Sequence, residues 1–254
     1  MPMLAANGTE LYYEVTEADA GAPTILFAHG AGGNAAIWYN QTAYFAPRYR
    51  CITFDHRAFG RSPVGPLPLT VHKFRDDALA LLDHLEVEQA HFVGQSMGGF
   101  TSIRCALDAP DRVASLTMSA TPGGIYNPTP TEAARTLTSG NGAVRDTMAQ
   151  ATFAKPDLLA LYAAISDFNV NFSWDKLATL LSAQDVIQHE SLAQIACPVL
   201  FIAGREDPLF PPEQLASFVP HFKTAAIEIV EDAGHSPYFE QPQIFNQLLA
   251  NFIG

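Results

Sequence analysis

Short apolar runs rich in β-branched residues recur along the chain, and stretches with helical periodicity lie between most of them. The stretch 74–88 has its apolar residues on one helical face, which consists of Ala78, Leu81, Leu82 and Leu85. Alternating strands and helices predict an α/β fold with a mostly parallel central sheet that helices cover on both faces. Further helical patterns occupy 97–107, 212–219 and 240–252. The predicted strands are LYYEV (11–15), TILFAH (24–29), CITFDH (51–56), AHFVG (90–94), VASLTMS (113–119), PVLFIAG (198–204) and AAIEIV (225–230).

The alternation is interrupted at residues 122–190, which contain no convincing strand and include the apolar stretches LLALYAAI and KLATLLSA. The chain has 254 residues, of which 48% are hydrophobic and 16% charged, and this balance fits one large domain better than two small ones. The sequence therefore predicts a core formed by residues 1–121 and 191–254, with a helical segment, 122–190, inserted in it.

Acidic residues outnumber basic ones, with 26 Asp and Glu against 14 Lys and Arg and a net charge of −12. Nucleic-acid binding is disfavoured, because such a chain has no basic stripe to hold a phosphate backbone. The amino terminus lacks a basic stretch followed by a long apolar run, and no uncharged segment is long enough to span a bilayer. We therefore expect a cytoplasmic protein with no membrane or nucleic-acid partner.

Three cysteines, an odd number without metal-ligand spacing, predict reduced core residues rather than a disulfide framework. No cluster of His, Asp or Glu shows metal-ligand spacing in the sequence either. We therefore expect neither a metal nor an organic cofactor. The cysteines are Cys51, Cys105 and Cys197.

The segment VGQSMGGF (93–100) joins a predicted strand to a predicted helix, with Ser96 at the turn between them. Gly94 and Gly98 allow neighbouring backbone to pack closely on either side, because glycine has no Cβ. A serine in such a sharp turn points its oxygen outward above the edge of the sheet. Ser96 is therefore the candidate nucleophile.

A serine hydroxyl is a weak nucleophile at neutral pH, so it needs a base within hydrogen-bond reach and a carboxylate that orients the base. Of the eight histidines, only His235 directly follows a late strand, in the turn EDAGHSPYF. The acid is expected between the serine and the histidine in the chain, after a strand. The segment FIAGREDPLFPP supplies Asp207, with Glu206 as its rival, and the position before Pro208 favours Asp207.

The glycine-rich loop HGAGGNA (29–35) has two interpretations. Gly30, Gly32 and Ala35 satisfy the dinucleotide pattern G-x-G-x-x-A after a strand. Asp55 ends the next strand, where a ribose-binding carboxylate is expected. The context argues against a nicotinamide dehydrogenase, because a hairpin precedes the strand and the following helix is short. The other interpretation is an oxyanion site, since backbone amides held ready for a negative oxygen lower the barrier to acyl transfer.

A set of short motifs extends over essentially the whole chain. They are HGAGG (29–33), DHRAFGRS (55–62), GQSMGG (94–99), GREDP (204–208) and GHSPYFEQP (234–242). In these motifs, their order and their spacing, the chain resembles the α/β-hydrolase family. The resemblance implies the α/β-hydrolase fold and a catalytic triad in the chain order Ser96, Asp207, His235.

The resemblance also assigns the surroundings of the triad. The two oxyanion donors would be the backbone amides of Met97, which follows the nucleophile, and of Ala31 in the HG turn. Residues 122–190 would form a cap over the active site.

The resemblance gives the DHRAFGRS motif a structural role. Asp55 and Arg57 would brace a turn rather than act chemically. Ala58 departs from the family, which usually has glycine there, and this bears only on the backbone angle of that turn.

The nucleophile narrows the reaction class. Haloalkane dehalogenases and epoxide hydrolases of the family use aspartate where this chain has Ser96, so esters, lactones and carbon–carbon bonds remain as targets. Meta-cleavage carbon–carbon hydrolases typically carry Asn before the serine and Trp after the histidine, whereas this chain has Gln95 and Ser236. A hydrolase-like sensor that binds a small molecule is a further alternative.

The predicted cap is rich in apolar side chains, which favours an apolar substrate pocket with few charged contacts. The sequence thus predicts a serine hydrolase that cleaves a small, largely apolar carboxylic ester or lactone through an acyl-enzyme, with a small molecule as its partner. The apolar side chains are Phe153, Leu158, Leu159, Tyr162, Phe168, Phe172 and Trp174.

Overall fold

An eight-stranded sheet forms the centre of the part of the chain that the structure describes. The structure is a computed structural model, and it describes residues 2–66, 68–134, 144–172, 180 and 185–254. The strands are β1 (Met3–Ala6), β2 (Thr9–Thr16), β3 (Thr24–Ala28), β4 (Arg50–Phe54), β5 (Ala90–Gln95), β6 (Val113–Ser119), β7 (Val199–Gly204) and β8 (Ala225–Val230). Their order across the sheet is β1-β2-β4-β3-β5-β6-β7-β8.

The sheet is mostly parallel, which confirms the predicted fold class. Strand β2 pairs antiparallel with β1 and β4, and all the other pairs are parallel. Each predicted strand is found within a few residues of its expected bounds. The sequence did not predict β1, because this four-residue edge strand, MLAA, is only partly buried and has no β-branched residue.

Alternate residues of the central strands pack into two hydrophobic clusters, one on each face of the sheet. In β3, Leu26 belongs to one cluster, whereas Ile25 and Phe27 belong to the other. This alternation follows from the two-residue period of a strand. The α-helices of the described residues are α1 (Tyr39–Phe45), α2 (Val71–His84), α3 (Met97–Asp108), α4 (Gln150–Phe153), α5 (Pro156–Ser166), α6 (His189–Leu192), α7 (Pro212–Ala216), α8 (Pro237–Glu240) and α9 (Pro242–Ile253).

Helix α2 differs from its predicted bounds for local reasons. It begins at Val71 rather than at residue 74, because the Thr70 side chain accepts a hydrogen bond from the Lys73 amide and caps the first turn. It ends before the predicted residue 88, and Glu86 beyond it has a positive φ of 54°. Across the described ranges, no helix combines the length and the apolar character that crossing a bilayer requires.

The segment 122–190 leaves and rejoins the core at neighbouring points. Ile125 and Ile187 form an isolated parallel bridge. The Tyr126 amide donates to the Ile187 carbonyl at 2.8 Å, and the Ile187 amide donates to the Gly124 carbonyl at 2.9 Å. The described part of this segment contains α4 and α5. Its role as a cap stays a prediction.

Candidate active site

Ser96 lies in a strained turn between β5 and α3. Its φ is +48° and its ψ is −114°, a conformation that residues with a side chain rarely adopt. Close packing imposes the turn: a Cβ on Gly98 would lie 2.0 Å from the Ala28 carbonyl oxygen. A Cβ on Gly94 would lie 2.5 Å from the Gly98 carbonyl oxygen. The Thr121 hydroxyl, just beyond the end of β6, donates to the Ser96 carbonyl at 2.7 Å and holds the turn.

The structure brings the three predicted triad residues together in one hydrogen-bonded chain. Nε2 of His235 lies 2.9 Å from Oγ of Ser96, and Nδ1 of His235 lies 3.0 Å from Oδ2 of Asp207. His235 and Asp207 are buried, while Ser96 is partly exposed. A carboxylate at Nδ1 favours the tautomer with the proton on Nδ1, which leaves Nε2 free to accept the serine proton.

Asp207, rather than its neighbour Glu206, contacts the histidine. Its second oxygen, Oδ1, accepts from the backbone amides of Leu209 at 2.8 Å and Phe210 at 3.2 Å, so the carboxylate is held on both sides. The exposed side chain of Glu206 instead accepts a hydrogen bond from the Gln150 amide at 2.9 Å.

The loop after β3 passes directly beside the nucleophile. A Cβ on Gly30 would lie 3.1 Å from Cβ of Ser96 and 1.9 Å from Oε1 of Gln95. The next residue, Ala31, and Met97 at the start of α3 are buried in the same small hydrophobic cluster. Within the described residues both backbone amides are free of a protein acceptor, as the donors of an oxyanion site must be.

The buried His29 side chain contacts the backbone of this loop through a hydrogen bond. Its Nδ1 lies 2.8 Å from the Gly30 carbonyl, and its Nε2 accepts from the His56 amide at 3.0 Å, which defines a neutral imidazole. Burial lowers the pKa of His29 to about 4. Burial, together with the neighbouring His29, also lowers the pKa of His56 well below its ordinary value.

The DHRAFGRS motif makes structural contacts. The Asp55 carboxylate accepts from the amides of Ala35 at 2.6 Å and Arg61 at 2.8 Å, so it joins two loops rather than a ribose. Arg57 forms a buried bidentate ion pair with Asp77, with both distances 2.6 Å. Ala58, where the family usually has glycine, has a φ of +74°.

Sequence reasoning missed two polar side chains that hold the His235 loop. The Gln95 side chain donates to the His235 carbonyl at 2.9 Å. The buried Glu240 carboxylate accepts from the amides of Gly234 at 2.9 Å and Ser236 at 3.0 Å. Burial raises the pKa of the Glu240 carboxyl, although four hydrogen-bond donors oppose the shift. The available signal was an acidic residue within the apolar stretch that follows His235.

Apolar side chains pack together with Ala31 and Met97. Phe59 and Leu180 are buried in the cluster that contains Ala31 and Met97, and Phe172 packs against it. The rings of Phe59 and Phe172 are stacked, with centroids 4.7 Å apart.

The other apolar residues of the predicted cap are placed differently. Tyr162 is buried in the hydrophobic cluster that contains Ile25 and Phe27, and Leu158 and Leu159 pack on the same cluster. Phe153 and Phe168 are exposed, at 43% and 64%. Trp174 lies outside the described residues.

Candidate ligands for a metal do not cluster in the described ranges: no group of three or more His, Cys, Asp or Glu side chains could hold an ion there. The three cysteines are free. Cys51 and Cys105 are buried, and Cys197 is partly exposed.

A strained serine above a parallel sheet, a histidine and an acid from later loops, and this chain order define a class of proteins. The profile of the alpha/beta hydrolase family matches residues 25–248. The chain belongs to this family and is a hydrolase, which confirms the family and the enzyme class predicted from its motifs.

Individual relatives cover nearly the whole chain. A 3-oxoadipate enol-lactonase of Acinetobacter baylyi is 30% identical over 96% of this chain and 92% of its own length. A 2-hydroxy-6-oxononadienedioate/2-hydroxy-6-oxononatrienedioate hydrolase of Paraburkholderia phymatum is 29% identical, over 98% and 93%. The solved structure of Est816, described as an N-acyl homoserine lactone degrading enzyme, has a TM-score of 0.83 and 27% identity, over 99% and 100%.

Proposed function

We propose that this protein is a serine hydrolase that cleaves a small, largely apolar carboxylic ester or lactone through an acyl-enzyme intermediate. The observation that carries the proposal is the hydrogen-bonded chain from Ser96 through His235 to Asp207. A nucleophile, a base and an orienting acid within direct contact are the minimal set for acyl transfer.

In the first half-reaction, Oγ of Ser96 attacks the acyl carbon while Nε2 of His235 takes the serine proton. Asp207 stabilises the imidazolium that forms and keeps its ring oriented. The amides of Ala31 and Met97 donate to the oxyanion, and each such donor lowers the barrier by about 3 kcal/mol. The imidazolium then protonates the leaving oxygen as the carbon–oxygen bond breaks.

In the second half-reaction, His235 takes a proton from water as the water oxygen attacks the acyl carbon. The imidazolium then returns a proton to Oγ of Ser96 as the acyl–Oγ bond breaks. When the substrate is an ester, the alcohol departs before this step. When it is a lactone, the alcohol stays attached to the acyl chain, so the product is a hydroxy acid. Both half-reactions depend on the same imidazole, and this chemistry requires no metal or organic cofactor.

The apolar surroundings of the site support a neutral substrate. Phe59, Phe172 and Leu180 pack around the oxyanion residues, and apolar lining favours uncharged acyl groups. The enol-lactonase and the homoserine-lactone-degrading enzyme among the similar proteins support a lactone. A cytoplasmic location stays a prediction.

The test is steady-state hydrolysis of p-nitrophenyl esters, acetyl through octanoyl, and of simple lactones. Ser96→Ala is expected to lower kcat/KM at least about 1000-fold, because it removes the nucleophile. The matched control is Ser102→Ala, since the Ser102 hydroxyl only donates to the Gly98 carbonyl within α3. Neutral acyl groups are expected to outperform charged ones, and equal activity of Ser96→Ala and wild type would contradict the proposal.

Carbon–carbon cleavage is the second candidate, because one relative of nearly the same identity is a dienedioate hydrolase. A dienedioate of the kind in this relative's name, added to the substrate panel, distinguishes carbon–carbon cleavage from ester or lactone hydrolysis. Turnover of the dienedioate without turnover of any ester or lactone would favour carbon–carbon cleavage. Binding of a ligand with almost no repeated turnover would favour a small-molecule sensor.

A further inference from the structure

One buried carboxylate joins the loop that carries His235 to the segment predicted to be the cap. Glu240 closes α8 and is 2% exposed. Its Oε1 accepts from the Gly234 and Ser236 amides, which flank His235. Its Oε2 accepts from the Ala149 amide and the Thr152 hydroxyl, both at 2.7 Å. The two oxygens of a single side chain therefore hold two segments that are far apart in sequence.

The same segment also contacts the backbone of His235 itself. The His235 amide donates to the Thr147 carbonyl at 2.9 Å, and its carbonyl accepts from the Gln95 side chain at 2.9 Å. The three consecutive backbone amides from Gly234 to Ser236 thus all donate hydrogen bonds, two to the Glu240 carboxylate and one to the Thr147 carbonyl. The orientation of the imidazole depends on these contacts, because the backbone sets the position of Cβ.

Gly234 shows how close the two segments are. A Cβ at this position would lie 2.3 Å from the Thr147 carbonyl oxygen and 2.7 Å from the Ala149 amide nitrogen. Further along the same interface, the ring of Tyr162 in α5 packs edge-on against Phe239, with centroids 5.2 Å apart. The two segments are therefore in direct backbone and side-chain contact along this interface.

We propose that Glu240 is a positioning residue for the base, which aligns His235 with Ser96 only while residues 147–152 are seated against the His235 loop. The proposal rests on the proposed function, in which His235 serves both half-reactions. Glu240 does not touch the reacting atoms in this role. It acts through the backbone of the two residues that flank His235.

The primary test is Glu240→Gln. A carboxylate accepts at both oxygens, whereas a glutamine amide has one accepting oxygen and an NH₂ group that only donates. On one side this NH₂ group faces the Gly234 and Ser236 amides, and on the other it faces the Ala149 amide, while the Thr152 hydroxyl can rotate to accept from it. In either orientation at least one backbone amide loses its acceptor, so one side of the joint is weakened. We expect kcat for a short p-nitrophenyl ester to fall about 10- to 100-fold, because small misplacement of a catalytic group has effects of this size. KM is expected to change by less than about three-fold, because Glu240 acts through the backbone around His235 and does not itself bind the ester.

A substrate-free measurement accompanies the kinetics. The downfield proton resonance of the His235 Nδ1–H, which is hydrogen-bonded to Asp207, is expected to shift or broaden in Glu240→Gln. This signal reports the position of the histidine even if no ester or lactone is hydrolysed, so a failure of the proposed function is distinguishable from a failure of this proposal. Glu213→Gln is the matched control, because it makes the same substitution at an exposed position outside this joint. It is expected to retain both kcat and the resonance.

Gly234→Ala provides a second route to the same result. The added Cβ displaces the Thr147 segment without changing the carboxylate, so kcat should again fall and the resonance should move. If Glu240→Gln does not fold, as judged by near-ultraviolet circular dichroism, Gly234→Ala decides the question. Wild-type kcat and an unchanged resonance in the folded variant would overturn the proposal, as would a parallel loss of kcat and binding with the resonance unchanged.

Discussion

At the scale of single residues, the site depends on carboxylate side chains whose two oxygens accept hydrogen bonds from different partners. Asp207 accepts from His235 with one oxygen and from two backbone amides with the other. Its negative charge is therefore held in place before any substrate binds. Glu206, one position earlier, has no such contact and lies at the surface. Adjacent residues of nearly the same chemistry thus have separate roles.

This difference predicts the effects of two matched substitutions. Asp207→Asn should lower kcat/KM about 10⁴-fold, because an amide at this position favours the wrong histidine tautomer. Glu206→Gln should leave kcat/KM close to that of the wild type, since Glu206 lies at the surface and, among the described residues, accepts a hydrogen bond from the Gln150 amide. Both variants are compared on one ester under identical conditions. A large loss in Glu206→Gln with a small loss in Asp207→Asn would exchange the two assignments.

At the scale of secondary-structure elements, the turn between β5 and α3 depends on how closely its neighbours approach. The start of α3 packs against the end of β3, and Gly98 lies at the contact. The positive φ of Ser96 is maintained because the surrounding backbone leaves no alternative conformation. The position of Ser96 is therefore set by the packing of two strands and a helix, rather than by the local sequence alone.

Gly98→Ala is expected to destabilise the protein by about 3 kcal/mol, because its Cβ would meet the Ala28 carbonyl and backbone cannot move aside cheaply. Helix propensity alone predicts the opposite sign, since alanine is favoured over glycine by about 1 kcal/mol. The control is Gly33→Ala, whose Cβ would meet a methyl group of Ile37 at 3.1 Å. Urea unfolding measures both. Equal unfolding free energies for Gly98→Ala and Gly33→Ala would show that the close approach of α3 to β3 does not make Gly98 necessary for stability.

At the scale of the whole molecule, buried neutral histidines link the stability of the fold to pH. His29 and His56 are completely buried, and their rings are 4.5 Å apart. Because the pKa of His29 is about 4 in the folded protein and 6.5 for an ordinary histidine, the unfolded chain binds a proton there more readily than the folded one. Acidification from pH 6.5 towards 4 therefore favours unfolding.

A substitution isolates this contribution. His29 costs the folded protein about 3 kcal/mol of unfolding free energy between pH 6.5 and 4, as calculated from its lowered pKa. His29→Gln removes the titration and keeps an acceptor for the His56 amide, so its unfolding free energy should fall less over this range. Urea unfolding at several pH values compares the two proteins. Identical pH dependence would mean that His29 does not contribute.

Local patterns predicted much of the fold and of the site. The short apolar run of β3 and the helical spacing of apolar residues in α2 were sufficient to identify these elements, since a buried strand and an amphipathic helix have these patterns. The glycines around Ser96 indicated a sharp turn. The missed strand β1 and the shifted start of α2 depended on edge pairing and on the Thr70 cap, which hydrophobicity does not report.

The sequence by itself determined the alternating elements, the turn at Ser96 and the candidate acid and base, because each depends on neighbours within a few positions in the chain. Only the tertiary structure decided that Glu240 joins the His235 loop to residues 147–152, a contact across 91 positions for Ala149. The same holds for Gln95 and His235, which are 140 positions apart. Such contacts arise from the packing of whole elements, and no local spacing encodes which buried polar groups then become partners.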